Sequence, residues 1–366
     1  MTQRRIRAVF MRGGTSRAIF FHHADLPPAG AARDRILLGA LGSPDPYGRQ
    51  LDGLGGGISS LSKACIIGPA THPDADVDYT FAQVHVAKPI VDYTGNCGNC
   101  SAAVGPFAID EGMVTYTEGE TIVRIHNTNT RKIIIAHVPV ASGEAAVEGD
   151  FELPGVAGRG ARIALDFLDP GGAGTGRLLP TGRARDVVEG VAASLVDATN
   201  PMVFVRAQDL GLSGTERPEA VDADRALAAR LEAIRGAAAD MMGIAGSAAT
   251  PKVAVVAPPA PFTALDGAEY GAEQADLVAR VISMGNCHRA FALTAAMCLA
   301  VAARIEGSVV RECVNAPDDG ELRLGHPSGV LPVAASVGVR DGVAWAERVT
   351  VYRTARRLME GFVRVP

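Results

Sequence analysis

Alternation of apolar and polar positions predicts that much of this chain is β-structure. Residues 77–86 read Val-Asp-Tyr-Thr-Phe-Ala-Gln-Val-His-Val, the pattern of a strand with one buried face. Residues 7–21 contain two strand-like runs around a Gly-Gly turn, which predicts a hairpin with a polar tip. Further strands are predicted at residues 64–68, 121–127, 132–140, 252–257, 330–339 and 343–352.

Other segments have the composition of helices. Residues 33–41 form a short amphipathic helix, and residues 225–241 an alanine-rich one. The segment that ends at Pro106 and residues 290–303 are apolar and rich in small side chains, so each is predicted to be a buried helix. Residues 290–303 are too few to cross a bilayer, which takes about 20 residues.

Two stretches of the first half return in the second half. Residues 13–26 align with residues 197–210 at a constant offset of 184. The tripeptide Gly-Asn-Cys occurs at residues 95–97 and again at residues 285–287, an offset of 190. Because both repeats are in near register, they predict a duplicated domain.

The duplication predicts an α+β fold with two similar halves, residues 1–184 and 185–366, whose last strand is free to return to the first half. We expect each half to be a mostly antiparallel sheet wrapped round one central buried helix. We further expect both helix N-termini to face a shared cleft. Cys97 and Cys287 would then form the two sides of one active site.

Composition narrows the class of partner. The 366 residues carry a formal net charge of −5 without a long basic run, so we expect no nucleic-acid partner. The N-terminal residues lack the apolar segment of a secretory signal, and six cysteines in this length do not form a disulfide framework. We therefore expect a cytoplasmic protein that binds no membrane and acts on a small molecule.

Cys97 is the first candidate for chemistry, in the turn before the apolar segment that ends at Pro106. At a helix start, free N–H groups and the helix dipole bind anions and lower a thiol pKa. A cysteine that only packs is the commoner case, but the neighbouring Gly and Asn residues favour function. With Cys100 it also has the spacing of a zinc half-site or a redox dithiol, although no second Cys or His pair completes a metal site.

Other candidates are weaker when they are taken singly. Lys63 follows a run of serines; most lysines are solvated, but one beside buried strand residues loses basicity and transfers protons. His288, at the predicted start of the second apolar helix, suits capping or carboxylate binding. The glycine-rich residues 53–57 match neither a P-loop nor a dinucleotide motif, so no cofactor is implied.

Several short motifs taken together resemble the PrpF family of isomerases. The resemblance extends over nearly the whole chain, and the motifs are specific as a set. They are Met-Arg-Gly-Gly-Thr-Ser at residues 11–16, Arg-Gln-Leu-Asp-Gly-Leu-Gly-Gly at 49–56, Ser-Ser-Leu-Ser-Lys at 59–63, Gly-Asn-Cys-Gly-Asn at 95–99, Ala-Val-Gly-Pro-Phe at 103–107, Met-Gly at 284–285, His288, and Gly-His-Pro-Ser-Gly at 325–329. The resemblance implies a diaminopimelate-epimerase-like fold, which agrees with the internal repeat.

The resemblance also implies an activity. The family includes 2-methylaconitate cis-trans isomerase, 4-oxalomesaconate tautomerase and methylitaconate isomerase, which shift protons on small unsaturated carboxylates without a cofactor. Its proton-transferring lysine and cysteine fall on Lys63 and Cys97. One of the two would remove a proton next to a conjugated carboxylate and leave a dienolate, which helix N-termini and polar groups stabilise. A homodimer is implied as well.

By the same resemblance, backbone N–H groups and polar side chains hold the substrate carboxylates. The implied substrate-binding residues are Ser16, Ser60, Asn96, Gly98, Asn99, Cys100, Met284, Gly285, Asn286, His288 and Ser328. Cys287 is a candidate second acid or base.

The sequence departs from the family pattern at Arg17, where lysine is frequent, and in its extra thiols Cys100 and Cys287. The second cysteine keeps another reaction open, because diaminopimelate epimerases and proline racemases use one cysteine from each half. A two-cysteine racemase or epimerase would need Cys97 and Cys287 at one α-carbon and would not depend on Lys63. A carboxylate-binding protein without catalysis is a third option, which the retention of both Lys63 and Cys97 disfavours.

Overall fold

The computed structural model describes residues 3–93, 96–244, 250–283, 285–315 and 320–366. The chain divides into two compact units, unit 1 being Met1–Phe167 with Tyr352–Pro366, and unit 2 being Leu168–Val351. The internal repeat predicts a division after residue 184. The intervening residues belong to unit 2 because their backbone binds a strand there, where the N–H groups of Gly172 and Gly174 donate to Asp197.

The described residues of unit 1 form the helices α1 (Ala31–Leu41) and α2 (Gly98–Asp110), with 3₁₀ turns at His23–Asp25 and Ser59–Leu61. Helix α1 confirms the helix predicted at residues 33–41, and its buried residues Ile36, Leu37, Ala40 and Leu41 lie on one face. The strands of unit 1 are β1 (Arg4–Gly13), β2 (Ser16–His22), β3 (Lys63–Pro69), β4 (Val77–Val84), β5 (Val91–Asp92), β6 (Gly119–Asn127), β7 (Lys132–Ala141), β8 (Glu144–Ala145), β9 (Phe151–Glu152), β10 (Arg159–Gly160), β11 (Ile163–Leu168) and the last strand of the chain, β23 (Ala355–Val365).

Hydrogen bonding orders the main sheet of unit 1 as β23-β1-β2-β3-β4-β6-β7-β11. Neighbouring strands are antiparallel except for the pairs β2–β3 and β4–β6, which are parallel. Strand β3 lies inside this order and is buried at every position before its terminal Pro69. Its unbroken apolar run Ala-Cys-Ile-Ile suits a strand that is covered on both faces.

Helix α2 forms the core of unit 1. Every residue from Cys100 to Ile109 is buried, and the helix contacts β1, β2, β3, β6, β7 and β23. A Cβ on Gly105 would lie 2.6 Å from Cγ2 of Val138 on β7, so glycine lets the helix approach the sheet closely. The prediction of a sheet wrapped round a buried helix is confirmed for this unit.

Unit 2 is built in the same way. Its strands are β12 (Asp186–Val188), β13 (Val191–Ala198), β14 (Asn200–Arg206), β15 (Lys252–Ala257), β16 (Phe262–Thr263), β17 (Glu269–Tyr270), β18 (Leu277–Ser283), β19 (Asn286–Cys287), β20 (Glu321–His326), β21 (Gly329–Arg340) and β22 (Val343–Arg353). Its helices are α3 (Pro218–Ala223), α4 (Arg225–Met242), α5 (Leu293–Ala302) and α6 (Val309–Cys313), with 3₁₀ turns at Ala207–Leu210 and Ala272–Gln274. Across the described residues of both units, no helix is long and apolar enough to cross a membrane.

The main sheet of unit 2 has the order β12-β13-β14-β15-β18-β20-β21-β22. Here β14–β15 and β18–β20 are the parallel pairs, so the succession of parallel and antiparallel neighbours matches that of unit 1. Helix α5 is buried from Ala295 to Ala302 and contacts β13, β14 and β21. Unit 2 therefore also wraps its sheet round an apolar helix.

The predicted repeat coincides with matching elements. Strand β2 covers Ser16–His22 and β14 covers Asn200–Arg206, so both bounds differ by 184 residues. A 3₁₀ turn follows each strand directly, at His23 and at Ala207. The offset of 184, and with it the duplication, is confirmed.

Candidate active site

Cys97 is the N-cap residue of α2, which confirms the predicted position at a helix start. Its Sγ accepts a hydrogen bond from the Cys100 N–H at 3.4 Å, and its carbonyl accepts one from Ser101 at 2.9 Å. The N–H groups of Gly98 and Asn99 have no hydrogen-bond acceptor within the described ranges. They are therefore donors that an anion at the helix N-terminus can use.

The pKa of Cys97 is raised, and the prediction that the helix start lowers it is wrong. The hydrogen bond with the Cys100 thiol is the largest cause, and burial follows; the charge of Lys63 and the Cys100 N–H act the other way but do not outweigh them. Burial, and then the thiol of Cys65, raise the pKa of Cys100 too. Without a ligand, Cys97 therefore holds its proton at neutral pH.

Lys63 begins β3 and is only 8% exposed. Its Nζ donates to Oε1 of Gln83 at 2.6 Å and lies 5.0 Å from the centre of the Phe81 ring. The Gln83 amide donates in turn to the carbonyls of Ser59 and Ser62. One glutamine side chain, which the sequence analysis did not single out, thus fixes both the lysine and the turn before it.

Strand β3, which begins at Lys63, contacts α2, and the charge of Lys63 acts to lower the pKa of both Cys97 and Cys100. Lys63 forms no ion pair with a carboxylate of the described chain. In a protein of net charge −5, this part of unit 1 thus combines an uncompensated ammonium with a helix N-terminus. Such a combination suits an anionic ligand and proton transfer at that ligand.

Arg353 is a second cation here, which none of the sequence motifs predicts. The residue is 5% exposed, and its Nε donates to Oδ1 of Asn99 at 3.1 Å. Asn99 also donates from Nδ2 to Oγ1 of Thr15 at 3.1 Å. No local pattern marks this arginine, since its contact with Asn99 joins residues 254 positions apart.

The remaining predicted residues of unit 1 surround the same helix start or precede β3. Ser16 begins β2 and is buried, whereas Ser60 is half-buried in the 3₁₀ turn before β3. Asn96 is held by Asn127, whose Nδ2 donates to its Oδ1 at 3.2 Å. Their roles in substrate binding stay predictions.

The second Gly-Asn-Cys turn is not at a helix start, and the prediction that it opens the second apolar helix is wrong. Cys287 lies in β19, which pairs with β18, while α5 begins at Leu293. The Cys287 N–H donates to Oδ1 of Asp222 at 2.7 Å, and burial raises its pKa to about 11. His288 continues this extended backbone, where its N–H donates to the Val281 carbonyl.

The other predicted residues of unit 2 lie in two turns. Gly285 has a φ of +80°, and Asn286 is exposed in β19. The hydroxyl of Ser328 donates to the Arg289 carbonyl at 2.6 Å, so its proton is already engaged. Met284 lies outside the described residues.

Buried basic groups also lie near Cys287. Arg280 and His326 are each 2% exposed. Burial, and then the charge of Arg280, lower the pKa of His326 to about 3, so this histidine is neutral. A cavity of about 240 Å³ within unit 2 is lined in part by Asp222, Lys252 and Cys287.

No group of three or more His, Cys, Asp or Glu side chains suited to a metal ion occurs among the described residues. All six cysteines are free thiols. The chemistry available here is that of thiols, an ammonium, guanidinium groups and backbone donors.

The fold places the chain in a class that includes amino-acid epimerases. A solved hydroxyproline epimerase from Agrobacterium vitis, 14% identical, covers 99% of this chain and 93% of its own at a TM-score of 0.50, which shows the fold alone. The predicted diaminopimelate-epimerase-like fold is thus confirmed. Within this class the chain belongs to the PrpF family, because the family model described as "PrpF protein" matches residues 3–366.

Curated relatives cover almost the whole chain. A 3-methylitaconate isomerase from Eubacterium barkeri is 45% identical over 99% of this chain and 98% of its own. A 2-methyl-aconitate isomerase from Shewanella oneidensis is 42% identical over 100% and 98%. A 4-oxalomesaconate tautomerase from Pseudomonas putida is 41% identical over 99% and 97%.

A solved methylitaconate-delta-isomerase matches in structure as well. It is 44% identical, covers 100% of this chain and 96% of its own, and gives a TM-score of 0.94. Family membership therefore rests on both sequence and fold.

Proposed function

We propose that this protein is a cofactor-independent isomerase that shifts protons on a small unsaturated di- or tricarboxylate. The observation that carries the proposal is the placement of Lys63 beside Cys97 at the N-terminus of α2, with no carboxylate paired to the lysine in the described chain. Relatives named for 3-methylitaconate, 2-methyl-aconitate and 4-oxalomesaconate support this substrate class.

Cys97 is a thiol in the free protein, so in the proposed reaction it first gives its proton to bulk water. The thiolate then removes a proton from the carbon next to a conjugated carboxylate. Lys63 stabilises that thiolate by its charge and then donates a proton to the γ carbon, or, after bond rotation, to the original carbon. The first outcome is an allylic shift and the second a cis-trans isomerisation. The N–H groups of Gly98 and Asn99 stabilise the charge of the dienolate. A proton that passes from the Cys97 thiol to the Lys63 amine then restores the thiolate and the ammonium for the next turnover.

The other predicted contacts form part of the proposal. Ser16, Ser60, Asn96 and Cys100 of unit 1, and Met284, Gly285, Asn286, His288 and Ser328 of unit 2, are carried forward as substrate-binding residues. A role for Cys287 as a second acid or base belongs to the two-cysteine racemase alternative. We also propose a cytoplasmic homodimer, and light scattering after size-exclusion chromatography tests the dimer.

Deuterium exchange in D₂O, followed by NMR, tests the reaction. The wild type is offered 2-methylaconitate, methylitaconate, 4-oxalomesaconate and proline in turn, beside Lys63→Met and the matched control Lys88→Met, which alters an exposed lysine. We expect deuterium in an unsaturated acid, with exchange slowed at least about 100-fold by Lys63→Met and unchanged by Lys88→Met. Deuterium exchange at the proline α-carbon, at a rate that Lys63→Met leaves unchanged, would contradict the proposal and support a racemase.

A further inference from the structure

Arg353 is the last residue of β22 and belongs to unit 1. Arg353 is only 5% exposed, which is rare for an arginine. Nε donates to Oδ1 of Asn99 at 3.1 Å, and Nη1 donates to the Tyr352 carbonyl at 2.7 Å. The other terminal nitrogen, Nη2, has no hydrogen-bond partner within the described part of the chain.

No carboxylate among the described residues compensates this buried cation. Arg353 forms no ion pair with any described residue. Burial lowers its pKa to about 10, so it stays protonated at neutral pH, and the charge that opposes this shift is that of the Cys97 thiolate. An uncompensated buried charge is costly, and an anionic ligand would remove that cost.

The guanidinium group is fixed beside the first turn of α2. Asn99 accepts from Arg353 and donates to Thr15, so it ties the arginine to the turn between β1 and β2. A Cβ on Gly14 would lie 2.2 Å from Oδ1 of Asn99 and 3.0 Å from Cδ of Arg353. The φ angle of Gly14 is +51°, in the left-handed region that favours glycine. Glycine is therefore required at residue 14, and this packing holds Arg353 against the side chain of Asn99 in the first turn of α2.

From this geometry we propose that Arg353 binds one carboxylate of the substrate, together with the N–H groups of Gly98 and Asn99. A planar guanidinium with unused donors matches a carboxylate in shape and charge. The bound carboxylate would place the reacting carbon at Cys97. The inference rests on the proposed function and adds to it the group that anchors the substrate.

Tricarballylate, a saturated tricarboxylate that cannot be isomerised allylically, separates binding from turnover. Its affinity is measured by calorimetry for the wild type, Arg353→Met, Arg353→Lys and the matched control Arg356→Met, which alters an exposed arginine. We expect a loss of about 100-fold for Arg353→Met and about 10-fold for Arg353→Lys, because lysine lacks the forked donors. The control should stay within about 2-fold, since exposed charges contribute little.

Turnover gives a second readout. For the acid that the wild type isomerises, we expect KM to rise by similar factors while kcat changes less than about 3-fold, because the lost contact is made to the bound substrate as well as in the transition state. Equal tricarballylate affinity in the wild type and a folded Arg353→Met would overturn the inference. If Arg353→Met does not fold, unchanged affinity and KM in Arg353→Lys would overturn it equally. A wild type that binds tricarballylate through Arg353 but isomerises no acid would contradict the proposed function and support the anchoring role.

Discussion

The two Gly-Asn-Cys turns share a sequence but differ in structure. Cys97 caps α2, a helix of 13 residues, whereas Cys287 lies in the short strand β19. Lys63 and Arg353 bring positive charge to Cys97, while the carboxylate of Asp222 accepts the N–H of Cys287. The pKa of both thiols is raised, but an anionic ligand meets the N–H groups of a helix start at the first turn and the carboxylate of Asp222 at the second.

Strand register identifies what is duplicated. Ile19 pairs with the residue after Lys63, and Val203, which follows Ile19 by 184 positions, pairs with the residue after Lys252. Lys63 and Lys252 are therefore counterparts at the starts of β3 and β15. This lysine position is common to both units.

The cysteines are not counterparts. Asp92 pairs with the residue of β4 that lies opposite Lys63. Asn286 pairs with the corresponding residue of β18 in unit 2. Cys287 thus corresponds to the residue after Asp92 and not to Cys97. The 190-residue offset between the tripeptides is wrong as a measure of the duplication, whereas the 184-residue offset of the strands is confirmed.

Separate replacement of the two cysteines is the change with the largest expected effect. We expect Cys97→Ser to lower kcat by about 10³-fold, because a hydroxyl gives up its proton far less readily than a thiol, and Cys287→Ser to change it less than about 3-fold. Initial rates of isomerisation measure both, with Cys313→Ser as a control thiol in unit 2. Equal losses of kcat in Cys97→Ser and Cys287→Ser would contradict the contrast between the two turns and favour a two-cysteine mechanism.

The elements of this fold were predictable because local patterns encode them. Residues 252–257 were predicted as a strand and form β15 with those bounds, and residues 225–241 form α4 to within one residue. Alternation of buried and exposed positions, and a wholly apolar helix, are properties of adjacent residues. Lys63 became a catalytic candidate only through the family resemblance, because its neighbours in the sequence are typical of a surface lysine.

The electrostatics of the site were not predictable in the same way. The pKa of Cys97 is set by the Cys100 thiol and by burial, and the burial of Arg353 depends on contacts with Asn99, far away in the chain. The helix start at Cys287 was predicted from a tripeptide, but the strand pairing of β19 delays α5. Each of these results from tertiary contacts that no local pattern encodes.

The second prediction concerns the amide that holds the lysine in unit 1. Gln83 accepts a hydrogen bond from Lys63, whereas continuing the β15–β18 register places Ser283 opposite Lys252. We expect Gln83→Leu to lower kcat about 30-fold with KM changed less than about 3-fold, because the ammonium loses its fixed position. Ser283→Ala is the matched control and should stay within about 2-fold, as a change away from the reacting groups. A rise in KM at constant kcat would instead assign Gln83 to substrate binding.

The smallest expected effect is on alkaline stability, and it concerns Cys287. Burial raises its pKa from 9.0 to about 11. An acid whose pKa is higher in the folded state contributes stability that is complete below the unfolded pKa and is lost as the pH rises through the folded pKa. The window is therefore pH 9 to about 11.

Urea unfolding across this window measures that contribution. The wild type should lose about 1–2 kcal/mol more stability than Cys287→Ser, a value reduced from the full shift because water partly screens the thiol. Below pH 9 the free energies of unfolding of the two proteins should change with pH in parallel, because the thiol is then protonated in both the folded and the unfolded state. If the free energies of unfolding of the wild type and Cys287→Ser stay parallel up to pH 11, Cys287 ionises as easily in the folded protein as in the unfolded chain. The burial of Cys287 in β19 would then not be what distinguishes it from an ordinary thiol.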